Sequence, residues 1–213
     1  MHTIEVKGLS LIVRKKNILS EINMTCEKGK VYGLIGRNGS GKTMLMKCIC
    51  GFVKPTQGCV VVNGKMIGRD LDFPESIGIL IENPGFIPYY SGFRNLKILA
   101  AFQGKIGTKE ICECMKRVGL QAVAKKHVGK YSLGMRQRLG LAQAIMENPS
   151  IYVLDEPMNG LDNNGMKIIR ELLMEEKQKG KTILMASHSA EDINYLCDSV
   201  FTIDDGKIVN QRE

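Results

Sequence analysis

Gly36-Arg37-Asn38-Gly39-Ser40-Gly41-Lys42-Thr43 is the stretch whose reading decides the fold. It fits G-x-x-x-x-G-K-[ST], a phosphate-binding loop. Val31-Tyr32-Gly33-Leu34-Ile35 before it is a short apolar run that reads as a buried strand. Met44-Leu45-Met46-Lys47-Cys48-Ile49 after it reads as the opening of a helix. Strand, glycine-rich turn and helix together aim successive backbone N–H groups and a helix N-terminus at phosphate oxygens. Gly36, Gly39 and Gly41 let the backbone come close without a Cβ. Lys42 is expected to reach the β- and γ-phosphates and the Thr43 hydroxyl to hold Mg²⁺. Arg37, Asn38, Ser40 and Met44 complete the expected nucleotide cradle.

Outward from the loop, the chain reads as one α/β unit. Val60-Val61-Val62 followed by Asn63-Gly64 is a hairpin signal, and residues 1–30 and 58–68 read as short strands and turns. Ser76–Ile81 is a further strand. Residues 83–148 become mostly helical, with Ile111, Met115 and Val118 on one face behind Thr108 as N-cap, and a second helix from Met135 to Glu147 stopped at Asn148-Pro149. Strands return at Ile151–Leu154, Thr182–Ala186 and Val200–Ile203, with a helix carrying Ile168, Ile169, Leu172 and Leu173 between the first two. Strands alternating with helices imply a parallel sheet covered on both faces, and 83–148 is then a helical insertion in that core.

The 213 residues suffice for one sizeable core, and no apolar run reaches the ~18 residues of a membrane span. The N-terminus has no basic segment followed by an apolar one, so no secretion signal is expected. Seven cysteines, paired in sequence only as C-x-C at Cys48/Cys50 and Cys112/Cys114, read as reduced cytosolic thiols rather than a zinc or redox site. The net charge of +8 suggests a polyanionic neighbour. Lysine and arginine look scattered, clustered only at Arg14-Lys15-Lys16 and Lys125-Lys126, which reads as a solvated basic face.

Ile151-Tyr152-Val153-Leu154-Asp155-Glu156 is an apolar strand ending in two acids. After a phosphate loop, a strand-end Asp155 suits Mg²⁺ and the adjacent Glu156 suits orientation or deprotonation of an attacking water. Tyr131-Ser132-Leu133-Gly134-Met135-Arg136-Gln137-Arg138 precedes a helix, and a Ser and a Gly there make an anion site.

At these residues the chain resembles the ATP-binding subunits of ABC transporters, whose signature loop is L-S-G-G-Q followed by Q-R. Ser132, Gly134, Gln137 and Arg138 match; Tyr131, Leu133 and Met135 depart. Asn159-Gly160-Leu161-Asp162 is similar to that family's D-loop, and Ser187-His188 stands where the family places its switch histidine. Glu82 stands where the family usually has a glutamine. The stretch Ile77-Gly78-Ile79-Leu80-Ile81-Glu82-Asn83-Pro84-Gly85-Phe86 resembles bacitracin-resistance and lantibiotic-immunity exporters, which often carry Glu there.

The resemblance implies a P-loop NTPase (RecA-like) core with an N-terminal antiparallel β subdomain and an inserted α-helical subdomain. One domain would span 1–213, with 1–82 and 149–213 as core and 83–148 as the helical part. It implies an exporter ATPase using ATP and Mg²⁺, with Glu156 as base, His188 and Glu82 assisting, and Thr43, Asp155 and Glu82 at the metal. Ser132, Gly134 and Asp162 would complete the site of a second ATPase subunit. The expected partners are membrane-spanning permease subunits, for which the aromatic-rich Phe86-Ile87-Pro88-Tyr89-Tyr90 suits a docking groove, with no nucleic acid. The expected location is cytoplasmic, peripheral on the inner face of the membrane. The family's aromatic stacking residue falls by spacing near Val13, yet no Phe, Tyr or Trp precedes Tyr32, so adenine is expected on aliphatic surface. The competing class is a non-transport ABC ATPase acting on ribosomes or DNA.

Overall fold

The computed structural model describes residues 2–82 and 85–212; Asn83 and Pro84 of the Glu82–Phe86 stretch lie outside them. Chain order is β1 (His2–Val13), β2 (Lys16–Glu27), β3 (Val31–Ile35), α1 (Lys42–Ile49), β4 (Gln57–Val62), β5 (Lys65–Met66) and β6 (Ile77–Leu80). Helices α2 (Gly92–Gln103), α3 (Thr108–Arg117) and α4 (Leu133–Ile145) follow with no named strand between them. The chain then continues as β7 (Ile151–Asp155), α5 (Asn163–Gln178), β8 (Thr182–Ala186), α6 (Ala190–Leu196), β9 (Ser199–Asp204) and β10 (Lys207–Arg212).

The strands form two sheets. An antiparallel sheet has the order β2-β1-β4-β5, and a six-stranded one the order β10-β9-β3-β8-β7-β6. In the second, β9, β3, β8, β7 and β6 run parallel and β10 closes the edge antiparallel. Successive residues of β7 serve opposite faces: Ile151 and Val153 pack with α1 and the antiparallel sheet, Tyr152 and Leu154 with the helices. Every residue of β8 is buried, which is why it reads as an unbroken apolar run. Gly78 in β6 is pressed on α4, where a Cβ would strike the Ala144 carbonyl oxygen.

Three local readings change. The N-terminal strands are twelve residues each, not short. Their turn is made by Arg14 and Lys15 at positive φ, without the Gly or Asn that marks such turns in sequence. The N-cap of α3 is Gly107, not Thr108, and its N–H donates to the Glu110 carboxylate at 2.9 Å. Helix α6 was not anticipated; the Ser189 hydroxyl caps it by accepting from the Asp192 N–H at 3.2 Å. The Asn63-Gly64 turn is as read, with both residues at positive φ and Val62 paired to Lys65.

Because β3, β7 and β8 are parallel neighbours, their C-terminal ends share one edge of the sheet. The turn at Gly36, the acids Asp155 and Glu156, and Ser187-His188 therefore meet there, at the usual place for a ligand in such a sheet.

Candidate active site

The phosphate loop is held by packing that only glycine permits. A Cβ on Gly36 would strike the Ile203 carbonyl oxygen and lie 2.8 Å from Ser40 Oγ. That Ser40 hydroxyl is buried with no hydrogen-bond partner among the described residues. Lys42 is 6% exposed, and its ammonium donates to the carbonyls of Gly36 at 2.7 Å and Arg37 at 3.0 Å. Burial pushes its pKa down, against the pull of Glu156 and Asp155. Thr43 Oγ1 donates to Asp155 Oδ2 at 2.6 Å, tying the first turn of α1 to the end of β7. A hydroxyl beside a carboxylate is an all-oxygen donor pair of the kind a hard divalent ion takes, so these residues fit Mg²⁺.

Glu156 sits at φ 49, a left-handed conformation that a non-glycine residue holds only when its surroundings fix it. Its N–H donates to the Ala186 carbonyl at 3.0 Å, and its own carbonyl accepts from the Gln137 amide at 2.8 Å. The carboxylate accepts the His188 backbone N–H at 3.4 Å, and His188 Nε2 stands 3.3 Å from Oε1. That oxygen takes no hydrogen bond, so the imidazole lies beside the carboxylate without donating to it. Burial raises the Glu156 carboxyl above its usual range; His188 opposes the rise and Asp155 adds to it.

Glu82 follows β6 at φ 59, and its carboxylate oxygen is 2.6 Å from Lys47 Nζ. Lys47 lies one helical turn beyond Thr43, and sequence reading gave it no role. The carboxylate is 62% exposed, so the pair is a weak one, on the order of 1 kcal/mol or less.

A cleft of about 530 Å³ joins these groups, lined by Gly39, Lys42, Thr43, Asp155, Glu156 and His188 among others. Glu82, Asn38, Gly41 and Met44 also reach it. So do Ile18, to which the sequence assigned nothing, and Gln137 and Asn159, which the resemblance named in the signature and D-loop stretches without a place in this cleft. Gln137 stands one turn into the helix behind Ser132 and Asn159 opens the D-loop-like stretch; Ile18 carries no such signal. No Phe, Tyr or Trp lines the cleft among the described residues, and Val13 stands at the exposed tip of the first hairpin.

Ser132, Gly134 and Asp162 are not part of this cleft. The Ser132 hydroxyl caps α4 by accepting from the Met135 N–H at 3.2 Å. Asp162 caps α5, accepting from the Gly165 N–H at 2.8 Å. A Cβ on Gly134 would stand 2.7 Å from the Gly160 carbonyl oxygen, so the two turns pack on each other. The Phe86–Tyr90 segment divides: Phe86 joins the helical core, while Ile87 and Tyr89 are 43% and 81% exposed.

Comparison with known proteins bears on the family and the fold. Residues 19–159 match the family model described as ABC transporter. The chain is 42% identical over 205 residues to the uncharacterized ABC transporter ATP-binding protein YybJ of Bacillus subtilis (strain 168), covering 96% of this chain and 94% of that one. It is 36% identical over 211 residues to the lantibiotic transport ATP-binding protein SrtF of Streptococcus pyogenes, covering 99% and 90%. It is 37% identical over 212 residues to the bacitracin transport ATP-binding protein BcrA of Enterococcus faecalis, covering 99% and 69%. The fold matches the dimeric, post-hydrolysis ATP-binding cassette MJ0796 bound to ADP and Pi, with a TM-score of 0.89, 21% identity, and 99% and 98% coverage. With a phosphate loop, a strand-end acid pair and a histidine assembled at one sheet edge, this chain belongs to the ABC transporter family as an ATP-binding, ATP-hydrolysing cassette.

Proposed function

We propose that the chain is the ATPase subunit of an exporter whose cargo is an antimicrobial peptide, antibiotic or related amphiphile. The observation that carries the catalytic part is the meeting of Lys42, the Thr43–Asp155 pair and the Glu156–His188 pair in one cleft. The names of SrtF and BcrA support the cargo class.

Lys42 and the backbone N–H groups of Gly39–Thr43 bind the phosphates. Thr43 and Asp155 would hold Mg²⁺, which would supply positive charge at the phosphates. Glu156 takes the proton of the attacking water, and His188 orients the carboxylate and reaches the γ-phosphate. Two chains then close face to face. Ser132 and Gly134 of each add donors to the γ-phosphate in the other, because one cleft alone does not surround that charge. The permease subunits meet residues 83–148, and the chain works at the inner face of the membrane.

Glu82 would be able to join the residues holding the metal, because its exposed pair with Lys47 costs little to break. Lys47→Met is expected to lower the Mg²⁺ concentration for half-maximal turnover and to leave the thermal midpoint within about 1 °C. An unchanged Mg²⁺ titration would remove Glu82 from the metal. With Ile18 rather than an aromatic ring at the cleft, the ~1–3 kcal/mol of base stacking is missing. ATP and GTP are expected to be hydrolysed with kcat/KM values less than a hundredfold apart; a larger gap would show that a base-reading residue exists.

The deciding experiment is recovery of tagged Glu156→Gln chain from detergent-solubilised native membranes with ATP, read by mass spectrometry. A polytopic membrane protein at stoichiometric yield is expected. Ribosomal proteins or DNA without a membrane partner would replace the transporter reading with a non-transport one.

A further inference from the structure

The buried residues of α4 are Leu, Gly, Ala and Ile, with one exception: Gln137 carries a polar side chain and is 7% exposed. A buried amide is costly unless it is hydrogen-bonded, so the bond it makes accounts for its place on an apolar helix face. Its Nε2 donates to the Glu156 carbonyl at 2.8 Å, nineteen positions along the chain.

Glu156 needs such a restraint. It stands at φ 49, where a non-glycine residue stays only when its surroundings hold it. Both of its backbone groups are tied. The N–H donates to the Ala186 carbonyl at 3.0 Å, and the carbonyl accepts from the Asn159 N–H at 3.1 Å as well as from Gln137. The carboxylate is held far less. Among the described residues Oε1 takes no hydrogen bond, and Oε2 accepts a long one, 3.4 Å, from the His188 N–H. The backbone therefore sets where the carboxylate points. Of its three bonds, one comes from β8 and one from the turn itself; the Gln137 bond alone comes from the helical insertion. The same helix clasps the far end of the turn, where a Cβ on Gly160 would lie 2.6 Å from the Leu133 side chain.

We propose that Gln137 is a positioning residue for hydrolysis: its amide holds the left-handed turn at Glu156 and so aims that carboxylate at the attacking water. The role rests on the reading of Glu156 as the base. Gln137 acts through the Glu156 peptide group rather than on the nucleotide. Without the amide, the Glu156 carbonyl keeps the Asn159 N–H, so folding loses little while the turn loses its outside restraint. Misplacing a reacting group by about 1 Å costs on the order of a hundredfold in rate.

The test is steady-state ATP hydrolysis by Gln137→Met, a straight side chain of similar length with no donor, and by Gln137→Leu, a branched one, each alone and combined with Glu156→Gln. Either single variant is expected to lower kcat about ten- to a hundredfold, with KM for ATP within about threefold of the parent and a thermal midpoint lower by no more than about 4 °C. In the Glu156→Gln background no base is left to aim, so either is expected to change the residual turnover less than about twofold. A parent-like kcat, a loss in only one of the two apolar variants, or the same fold loss again in the Glu156→Gln background would each overturn the positioning role. The two readings fail separately. Parent-like turnover by Glu156→Gln removes the base and this role with it, whereas an inactive Glu156→Gln beside a parent-like Gln137→Met removes Gln137 alone.

Discussion

Glu156→Gln is expected to lower steady-state ATP turnover at least about a hundredfold while the chain still binds ATP. A positioned general base contributes about 10²–10⁴-fold, and Gln keeps the shape and the left-handed backbone while losing the basic oxygen. The same variant should be more thermostable than the parent at neutral pH. Burial raises the Glu156 pKa above its ordinary value. A carboxyl with a raised folded pKa contributes stability that is fully present below the unfolded pKa and is lost as pH rises through the folded one. The gain from Gln should thus be seen at neutral pH and vanish in acid. In the parent, the acid limb of kcat/KM should stand above the ordinary carboxylate pKa of 4.5. Turnover within tenfold of the parent would remove Glu156 as the base, and a lower midpoint at neutral pH would contradict the burial argument.

Glu176→Ala is expected to cost stability of about 3–5 kcal/mol, a fall in midpoint of roughly 10 °C. Glu176 in α5 is 1% exposed and accepts from Arg117 at 2.6 Å, Lys179 at 2.8 Å and the Tyr152 hydroxyl at 2.6 Å. Burial alone would raise its pKa; these three donors overcome that and hold it at about 2. Removing the acid leaves the Arg117 guanidinium, at the end of α3, short of its buried partner. With a folded pKa depressed below 4.5, the contribution is present above the unfolded value and is lost as pH falls toward about 2. Chemical denaturation across that window should show the parent and Glu176→Gln converging. A constant gap would mean that packing, not charge, sets the effect. Through Glu176, Arg117 of the helical insertion is tied to Tyr152 of β7, the strand that ends in Asp155.

The sequence by itself determined the local things. Gly36–Thr43 is legible because backbone geometry demands those glycines, and β7 and β8 because strands buried on both faces must be apolar throughout. The acid pair Asp155-Glu156 follows from its place at a strand end. What it obscured were features whose determinants lie far apart. The first hairpin turns on Arg14 and Lys15, held at positive φ by the pairing of the strands on either side. Ile18, Gln137 and Asn159 reach the cleft only because three distant segments converge there. Lys47 meets Glu82 across thirty-five positions of chain. Residue type and short-range periodicity act over a few positions and can be read in order. Ion pairing, burial and surface charge depend on distance in space, which tertiary packing alone decided.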